Sequence, residues 1–164
     1  MFRRISSFCL VLLVELGCQQ ERTLTIGSVL PLTGEGSVYG QPVKKGVELA
    51  FENLQASGDY PFPLALEIVD SESDPERAKQ QLEQLYEGGA LAVIGGVITP
   101  EALQMVSIAE KYNQVLISPS ASSPELTGIS KNFYRVFPSD AREGATMGNF
   151  ATQKLKAETF VILA

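Results

Sequence analysis

The sequence predicts an α/β fold in which a doubly wound parallel sheet carries helices on both faces. Short apolar segments of strand length alternate with amphipathic segments of helix length from Thr23 onward. Glycine and proline mark most of the changes from one kind of segment to the other. Strands that alternate with helices in this way become parallel neighbours, because each crossover helix returns the chain to the same edge of the sheet.

The amino-acid composition is that of a globular protein, and its charge and lack of histidine argue against several classes of partner and site. The 164 residues are 45% hydrophobic and 20% charged, which is enough for one domain with a core. A net charge of −6 without a basic cluster argues against nucleic acid as a partner. The absence of histidine excludes the usual histidine-containing triads and zinc sites. We expect no metal site and no cofactor.

Residues 1–17 have the pattern of an export signal. Two arginines precede an apolar run from Phe8 to Val14, far shorter than the roughly 20 residues of a membrane-spanning helix. Leu16-Gly17-Cys18 resembles a bacterial lipobox, in which the cysteine becomes the lipidated first residue. Glu15 departs from that motif, since its position is normally apolar. We expect lipid attachment at this cysteine and a polar tether over residues 18–22.

The first half of the chain predicts two strands and two helices. Thr23–Leu30 is the first strand, and Pro42 opens a helix whose apolar residues recur at spacings of three and four. Leu64–Asp70 alternates in the manner of a second strand. Asp74 then caps a helix that stops at Gly88-Gly89.

A strand and a helix near the middle of the chain organise the predicted site. Leu91–Ile94 is a short apolar run between glycines, as in a strand buried on both faces. Gly95-Gly96 allows a close turn, Thr99 is a good N-cap, and Pro100 suits the first helical position. The free N–H groups of such a helix start favour a carboxylate or phosphate. The simpler alternative is that Thr99 only caps its own helix.

The remaining segments continue the alternation. Val115–Ile117 is a strand that leads into the hydroxyl-rich loop Ser118–Pro124, and Phe133–Val136 is a further short strand. Asp140 caps a last helix, and Phe160–Leu163 is again apolar. Because the chain stops inside this last predicted strand, we expect it to be part of a longer protein.

Three polar loops should meet at one edge of the sheet. In a doubly wound sheet, ligands bind beyond the carboxyl ends of the strands, where the strand order reverses. If the order is 2-1-3-4, that point lies between the first and third strands. The loops there are Pro31–Gln41 and Gly95–Pro100, with Ser118–Pro124 beside them. This convergence indicates a binding site more strongly than any single residue.

Two look-alike motifs suggest other chemistry. Gly34–Gly40 differs by one residue from the dinucleotide-binding glycine pattern, and Asp70 ends a strand where a ribose-binding acid would stand. The loop is too long for that pattern, and an export signal does not suit a nucleotide-dependent oxidoreductase, which is kept as a remote alternative. Asp70, Glu72 and Asp74 have the spacing of a calcium loop that lacks its glycine and its final acid. A solvated loop followed by an N-cap is the simpler interpretation.

Taken in order, these segments resemble the periplasmic solute-binding proteins of the leucine/isoleucine/valine type. The matching segments are Ile26-Gly27, Pro31-Leu32-Thr33-Gly34, Tyr39-Gly40, Gly46–Ala50, Ser73-Asp74-Pro75, Val93-Ile94-Gly95, Ile117–Thr127, Phe133-Tyr134-Arg135, Ser139-Asp140 and Gly144. The resemblance implies two α/β lobes that clamp a small ligand. It implies that residues 23–138 form lobe one and that residues 139–164 form the truncated start of lobe two.

The resemblance also implies roles for four residues. Thr99 matches a hydroxyl that binds an amino-acid carboxylate, and Ser120 matches a position that contacts the ligand largely through its main chain. Ser122 matches a hydroxyl that helps to hold the carboxylate and the ammonium, and Tyr39 matches an aromatic residue that lines the pocket. The alternatives are a helix cap for Thr99, loop solvation for both serines and core packing for Tyr39. The acid that pairs with the ammonium would belong to the second lobe, beyond this sequence.

The function implied by the family is capture of a small solute without catalysis. The expected ligand is an amino acid of the branched-chain type or a similar small polar solute, delivered to the permease of an ABC-type import system. No activated nucleophile or acid–base pair is visible in the sequence. We expect a location in the periplasm or at the outer face of the cell membrane, held there through Cys18. The alternative is the ligand-binding sensor domain of a receptor, which a transmembrane span and a signalling domain further along the chain would identify.

Overall fold

Five parallel strands form one sheet in the computed structural model, which describes residues 23–161. The elements in chain order are β1 (Leu24–Leu30), α1 (Ser37–Ser57), β2 (Leu64–Asp70), α2 (Pro75–Glu87), β3 (Ala92–Gly95), α3 (Thr99–Tyr112), β4 (Val115–Ser118), a 3₁₀ turn (Pro124–Leu126), β5 (Phe133–Arg135) and α4 (Asp140–Gln153). The strand order is β2-β1-β3-β4-β5. The order reverses between β1 and β3, which confirms the predicted doubly wound sheet.

Strand β1, which lies between β2 and β3, aligns the carboxyl ends of these two neighbours. It pairs with β2 along its whole length, from Leu24 opposite Leu64 to Leu30 opposite Asp70. On its other side Val29 lies opposite Gly95, the last residue of β3. The loops that follow β1, β2 and β3 therefore leave the sheet at one edge, as the parallel topology requires.

One face of the sheet is covered by α2 and α3 and holds the core. Its buried side chains include those of Leu82, Leu85, Met105, Leu116 and Val93. Burial of such side chains contributes roughly 1.5–3 kcal/mol each. The contact is close, because a Cβ on Gly27 would lie 2.9 Å from the side chains of Leu85 and Val93.

Among residues 23–161, α1 is the one helix that covers the opposite face, which is partly open. An apolar groove of about 620 Å³ lies between this helix and the sheet; its lining residues are Ile26, Val43, Gly46, Val47, Ala50, Phe51, Leu54, Leu66, Ile94, Pro119 and Val136. In β3, Val93 and Gly95 are buried, whereas Ala92 and Ile94 are only partly buried. The prediction that this strand is buried on both faces is therefore wrong for the face that α1 covers, because one helix does not span the sheet.

Helix α1 begins before its predicted start at Pro42. The N–H of Ser37 donates to the carbonyl of Gly34 (3.2 Å), and the N–H of Gly40 donates to that of Gly36 (3.0 Å). Pro42 lies inside the helix. Pro42 is the sixth residue of α1 and has no N–H, so the carbonyl of Val38, four residues earlier, receives no helical hydrogen bond from it. The loop after β1 is therefore shorter than predicted, and Tyr39 belongs to a helix.

One of the three predicted helix N-caps is observed, and the other two are not. Asp74 accepts a hydrogen bond from the N–H of Arg77 (2.7 Å), so it caps α2 as predicted. Thr99 is not an N-cap, because the extended cap conformation is adopted by Ile98 and α3 begins at Thr99 itself. Asp140 is likewise the first residue of α4, not its cap. Neither of these two helix starts has a side-chain cap hydrogen bond.

Other boundaries shift by one residue or fall outside the described chain. Strands β1, β3 and β5 each lose one predicted terminal residue, while β4 gains Ser118. Phe160 and Val161 are not in a strand, and the rest of that predicted strand lies outside the described residues, as do the signal over 1–17, the tether over 18–22 and Cys18. Within residues 23–161, no helix is both long enough and apolar enough to span a membrane.

Candidate functional site

A cleft of about 540 Å³ lies beyond the carboxyl ends of β3 and β4, beside the first turn of α1. Its lining residues are Tyr39, Val97, Ile98, Thr99, Pro100, Ser120, Ala121, Ser122 and Phe137. All four site residues predicted from the sequence are among them. The volume is in the range that small-molecule sites occupy, and the position is next to the point where the strand order reverses.

Gly96 sets the path of the chain from β3 into α3. Its φ of +65° lies in the left-handed region, which side chains other than glycine rarely adopt. A Cβ at this position would lie 2.8 Å from the Cα of Ala102, in the first turn of α3. The loop can therefore fold back tightly on the start of the helix, and this places Ile98 and Thr99 in the wall of the cleft.

Thr99 lies in the wall of the cleft and has an uncommitted hydroxyl. Among the hydrogen bonds of residues 23–161, none involves this hydroxyl, and it does not cap the helix. The N–H groups of Thr99 and Glu101 belong to the first turn, where backbone donors have no partner within the helix. The start of α3 therefore offers donors of positive partial charge beside a free hydroxyl, an arrangement suited to an anionic group. The alternative of a simple helix cap does not match this geometry.

Two serines at the end of β4 hold the cleft loops together. The hydroxyl of Ser118 donates to the carbonyl of Gly96 (2.7 Å) and accepts from the N–H of Ala121 (3.1 Å). The hydroxyl of Ser120 donates to the carbonyl of Val97 (2.6 Å). Ser120 can therefore offer a ligand its main chain and its hydroxyl lone pairs, but its hydroxyl hydrogen is already used. The prediction missed Ser118, although alternate residues of an extended segment point to the same side.

Ser122 is joined to Asp140 by two hydrogen bonds. Its hydroxyl donates to Oδ2 of Asp140 (3.0 Å), and its carbonyl accepts from the backbone N–H of the same residue (3.0 Å). Because its hydrogen points to a carboxylate, the hydroxyl oxygen keeps its lone pairs for a donor in the cleft. An ammonium group suits this end of the cleft better than a carboxylate does. Asp140 was predicted only as a helix cap.

Aromatic side chains from two elements line the cleft. Tyr39, in the first turn of α1, has 61% of its surface exposed, so packing in the core does not account for it. Phe137 follows β5 and is 44% exposed. Phe137 was not among the site residues predicted from the sequence. The available signal was an apolar pair, Val136-Phe137, directly after a strand that ends at the same edge. These rings add apolar surface to a cleft whose lining also includes the hydroxyl-bearing residues Thr99, Ser120 and Ser122.

Asp70 anchors the loop after β1. Its Oδ1 accepts from the N–H groups of Leu32 (2.8 Å), Thr33 (3.3 Å) and Glu72 (2.8 Å), and its Oδ2 accepts from the Thr33 hydroxyl (2.8 Å). Partial burial raises the pKa of Asp70, but these hydrogen bonds outweigh it and hold the pKa below its usual value. A carboxylate so fully engaged does not suit a ribose. Within residues 23–161 no three His, Cys, Asp or Glu side chains are grouped to hold a metal ion.

Glu101 is a buried carboxyl group that the sequence did not reveal. Its side chain is fully buried, Oε1 accepts from the hydroxyl of Ser71 (2.6 Å), and Oε2 is buried without a partner. Burial raises the pKa of Glu101 to about 7; the Ser71 hydrogen bond opposes this rise, and the nearby carboxylates of Asp70 and Asp74 reinforce it. An acidic residue in the first turn of a helix ordinarily faces solvent. The burial of Glu101 could therefore not be predicted from the sequence.

Comparison with known proteins identifies relatives over nearly all of the described chain. The family model described as "Periplasmic binding protein" matches residues 23–164. The Leu/Ile/Val-binding protein homolog 3 of Brucella melitensis is 26% identical over 142 residues, covering 85% of this chain and 39% of that protein. The leucine-, isoleucine-, valine-, threonine-, and alanine-binding protein of Pseudomonas aeruginosa is 28% identical over 143 residues, covering 86% and 38%. The chain thus spans about two fifths of the length of these curated relatives.

Solved structures with the same fold include two branched-chain amino-acid-binding proteins. The substrate-binding protein LivJ of a Streptococcus pneumoniae branched-chain amino acid transporter, in complex with isoleucine, superposes with a TM-score of 0.76 at 26% identity and covers 83% of this chain and 40% of that one. The leucine-binding protein LivK of Thermotoga maritima gives a TM-score of 0.73 at 27% identity, with 83% and 39% covered. The relatives are binding proteins, and the family expected from the sequence is confirmed. The chain belongs to the periplasmic binding protein family.

Proposed function

We propose that this chain is part of the solute-binding component of an ABC-type import system and that it binds an amino acid of the branched-chain type. One observation carries the proposal: Tyr39, Thr99, Ser120 and Ser122, which lie on three separate segments, line one cleft at the reversal of strand order. The names of the relatives supply the ligand class, since they describe binding of leucine, isoleucine and valine.

The chemistry of the cleft suggests how an amino acid would lie. The carboxylate would face the start of α3, where Thr99 has a free hydroxyl and the first-turn N–H groups point outward. The ammonium would face Ser122, whose hydroxyl hydrogen is directed to Asp140 and whose lone pairs remain available. The aliphatic side chain would contact the apolar part of the wall, to which Val97 and Phe137 belong. The cleft would then act by recognition alone, without catalysis.

We further propose that residues 23–138 are lobe one and that residues 139–164 begin lobe two. Helix α4 supports this boundary, because none of its residues is buried. The helix therefore does not share the core between the sheet and α2 and α3. In a clamp of two lobes, the second lobe closes over the ligand and excludes water.

The proposed location is extracytoplasmic, with Cys18 as the lipid attachment site. The support is the signal-like segment 1–17 and the motif that ends in this cysteine. In bacteria grown with labelled palmitate, the mature protein should carry label, and a Cys18→Ala variant should be exported without it. An unlabelled parent protein would contradict the anchor, and Glu15 would then be its most direct explanation.

Calorimetry on the full-length protein tests the ligand class. We expect heat of binding with L-leucine, L-isoleucine or L-valine. Leucinamide lacks the carboxylate and 4-methylpentanoate lacks the ammonium, so each should bind at least about 10-fold more weakly through loss of one charged hydrogen-bonding group. An absence of binding to all three amino acids, or equal affinity for leucinamide, would contradict the proposal.

A further inference from the structure

Glu101, which is paired with Ser71, lies in the first turn of α3, two residues after Thr99 in the lining of the cleft. Both side chains are fully buried, and the 2.6 Å hydrogen bond joins the first turn of α3 to the residue that follows β2. The second carboxyl oxygen of Glu101 is buried without a hydrogen-bond partner. An ionised carboxylate in this position would leave negative charge unpaired in the interior, which is costly.

The surroundings of Glu101 do not compensate such a charge. The carboxylates of Asp70, at the end of β2, and Asp74, at the cap of α2, both act on it with the same sign of charge. Arg77, the cation in the first turn of α2, pairs with Glu72 (3.0 Å). Within the described chain, Glu101 has no ion-pair partner, so a proton is the available means of neutralising it.

Glu101 and the cleft share one helical turn. Thr99 lies two residues earlier, and helical residues rise by about 1.5 Å each, so the buried carboxyl lies in the same turn as the donors that face the cleft. A ligand anion at Thr99 would add another negative charge near a carboxyl that already has two negative neighbours. The binding of the anion and the protonation of Glu101 therefore favour each other.

We infer that Glu101 takes up a proton when an anionic group of a ligand binds at the start of α3, so that ligand affinity falls as the pH rises through neutrality. The identity of the ligand rests on the proposed function, whereas the burial of Glu101 is observed independently of it. By thermodynamic linkage, the factor by which the anion favours protonation equals the factor by which protonation strengthens anion binding. Coupling between two binding events typically changes affinity by at least about fivefold.

The direct test measures protons taken up on binding. Full-length protein is titrated with L-leucine at pH 7 in bis-tris and in imidazole buffer, whose ionisation heats differ and which supply no anion that competes for the start of α3. The parent should take up a fraction of a proton per ligand, and its affinity should fall roughly fivefold between pH 6 and pH 8. Glu101→Gln should abolish both effects. Glu110→Gln, an exposed residue of the same helix, should retain both and is the matched control.

Two further measurements keep the outcomes separate. Ser71→Ala removes the hydrogen bond that favours the ionised form of Glu101, so the pH at which proton uptake is greatest should rise. This variant also tests the role of Glu101 if Glu101→Gln does not fold. Infrared spectra of the ligand-free protein should show a protonated carboxyl band at pH 6 that Glu101→Gln lacks. Binding without proton uptake, or uptake that persists in Glu101→Gln, would overturn the inference. If L-leucine does not bind at all, the proposed function fails, while absence of the infrared band overturns the inference independently.

Discussion

Thr99 and Glu101 are two residues apart in α3, yet their environments are opposite. Thr99 lines the cleft and its hydroxyl has no hydrogen-bond partner among residues 23–161, whereas the carboxyl of Glu101 is fully buried against Ser71. Residues two apart on a helix point in different directions, so one turn can serve the ligand and the core at once. Substitutions at Thr99 should therefore change affinity alone, whereas substitutions at Glu101 should change stability as well as the pH dependence of affinity.

At Thr99, we expect a loss of affinity without a loss of stability. Thr99→Val keeps the shape but removes the hydroxyl, and a hydrogen bond to a charged group is worth about 1.5–3 kcal/mol, or roughly 10- to 150-fold in affinity. The melting temperature should stay near that of the parent, because this hydroxyl does not cap α3. Thr99→Ser retains the oxygen and should keep most of the affinity. Calorimetry with L-leucine and thermal melting of the same variants check both statements; tight binding by Thr99→Val would remove Thr99 from the site.

At Glu101, we expect stability to depend on pH. The pKa is raised by burial from 4.5 to about 7, so the folded chain binds more protons than the unfolded chain between these values. The contribution of Glu101 to the free energy of unfolding is therefore greatest below about pH 4.5. This contribution falls as the pH rises to about 7, and the total loss is on the order of 3 kcal/mol at most. Glu101→Gln should flatten this part of the profile in urea unfolding between pH 5 and pH 8. An unchanged profile would show that Glu101 is ionised throughout.

At the scale of elements, the cleft depends on how the helices leave the sheet. Gly40 shows this for α1: a Cβ there would lie 2.0 Å from the carbonyl oxygen of Pro31. The first turn of α1, which carries Tyr39, can thus lie against the end of β1 only because residue 40 has no side chain. The same helix contains Gly46, where a Cβ would meet nothing within 4 Å.

These two glycines form a matched pair. Gly40→Ala must push α1 away from β1 and should destabilise the fold by about 1–3 kcal/mol, as overpacking does. Gly46→Ala should instead stabilise it by roughly 0.5–1 kcal/mol, because alanine suits a helix interior better than glycine. Urea unfolding of both variants at one pH measures the difference. If Gly40→Ala were as stable as the parent, the close contact of α1 with β1 would be refuted.

The Ser122–Asp140 pair links the cleft loop to α4. Asp140→Asn keeps an oxygen acceptor and the backbone bond but removes the negative charge, while Asp140→Ala also frees the hydroxyl of Ser122. If the charge helps this end of the cleft to accept an ammonium group, both variants should weaken L-leucine binding, by roughly 3- to 10-fold for Asn and more for Ala. Calorimetry provides the affinities, with Glu143→Gln in the same helix as the control. Equal affinity for all variants would limit Asp140 to a structural link.

At the scale of the whole molecule, the two faces of the sheet are unequal. The face under α2 and α3 is packed and holds the buried core. The face under α1 has the groove of about 620 Å³, lined by apolar side chains of the sheet and of the helix. In residues 23–161 alone this surface is open to solvent, and apolar surface of this kind favours association or the binding of apolar ligands.

A protein limited to residues 23–161 should therefore bind the dye anilinonaphthalene sulfonate and enhance its fluorescence. Val47→Glu places a charge in the groove and should reduce the signal several-fold. Leu49→Glu changes an exposed aliphatic residue of the same helix outside the groove lining, and its signal should match the parent. Equal loss of fluorescence in both variants would mean that the dye does not occupy the groove.

The sequence by itself determined the class of fold, the order of the elements and the edge where the site lies. These properties depend on neighbours along the chain: apolar periodicity, the capping pair Asp74-Pro75, the double glycine at Gly95-Gly96, and the rule that crossover helices join parallel strands. The four residues expected to line the site share one cleft for the same reason, since each follows a strand that ends at this edge or begins the next helix. Their contacts with a ligand stay predictions.

Only the tertiary structure decided how those residues are used. It showed that Ile98, not Thr99, adopts the cap conformation, that Ser122 is tied to Asp140, and that Glu101 is buried against Ser71. It also showed that one face of β3 is only partly covered. The contacts of Ser122 and Glu101 join residues that are far apart in the sequence. The cap conformation and the coverage of β3 depend on how whole elements pack, which a local sequence pattern does not describe. Propensity and periodicity describe a residue and its sequence neighbours, whereas burial, hydrogen-bond partners and pKa are set by what packs around it.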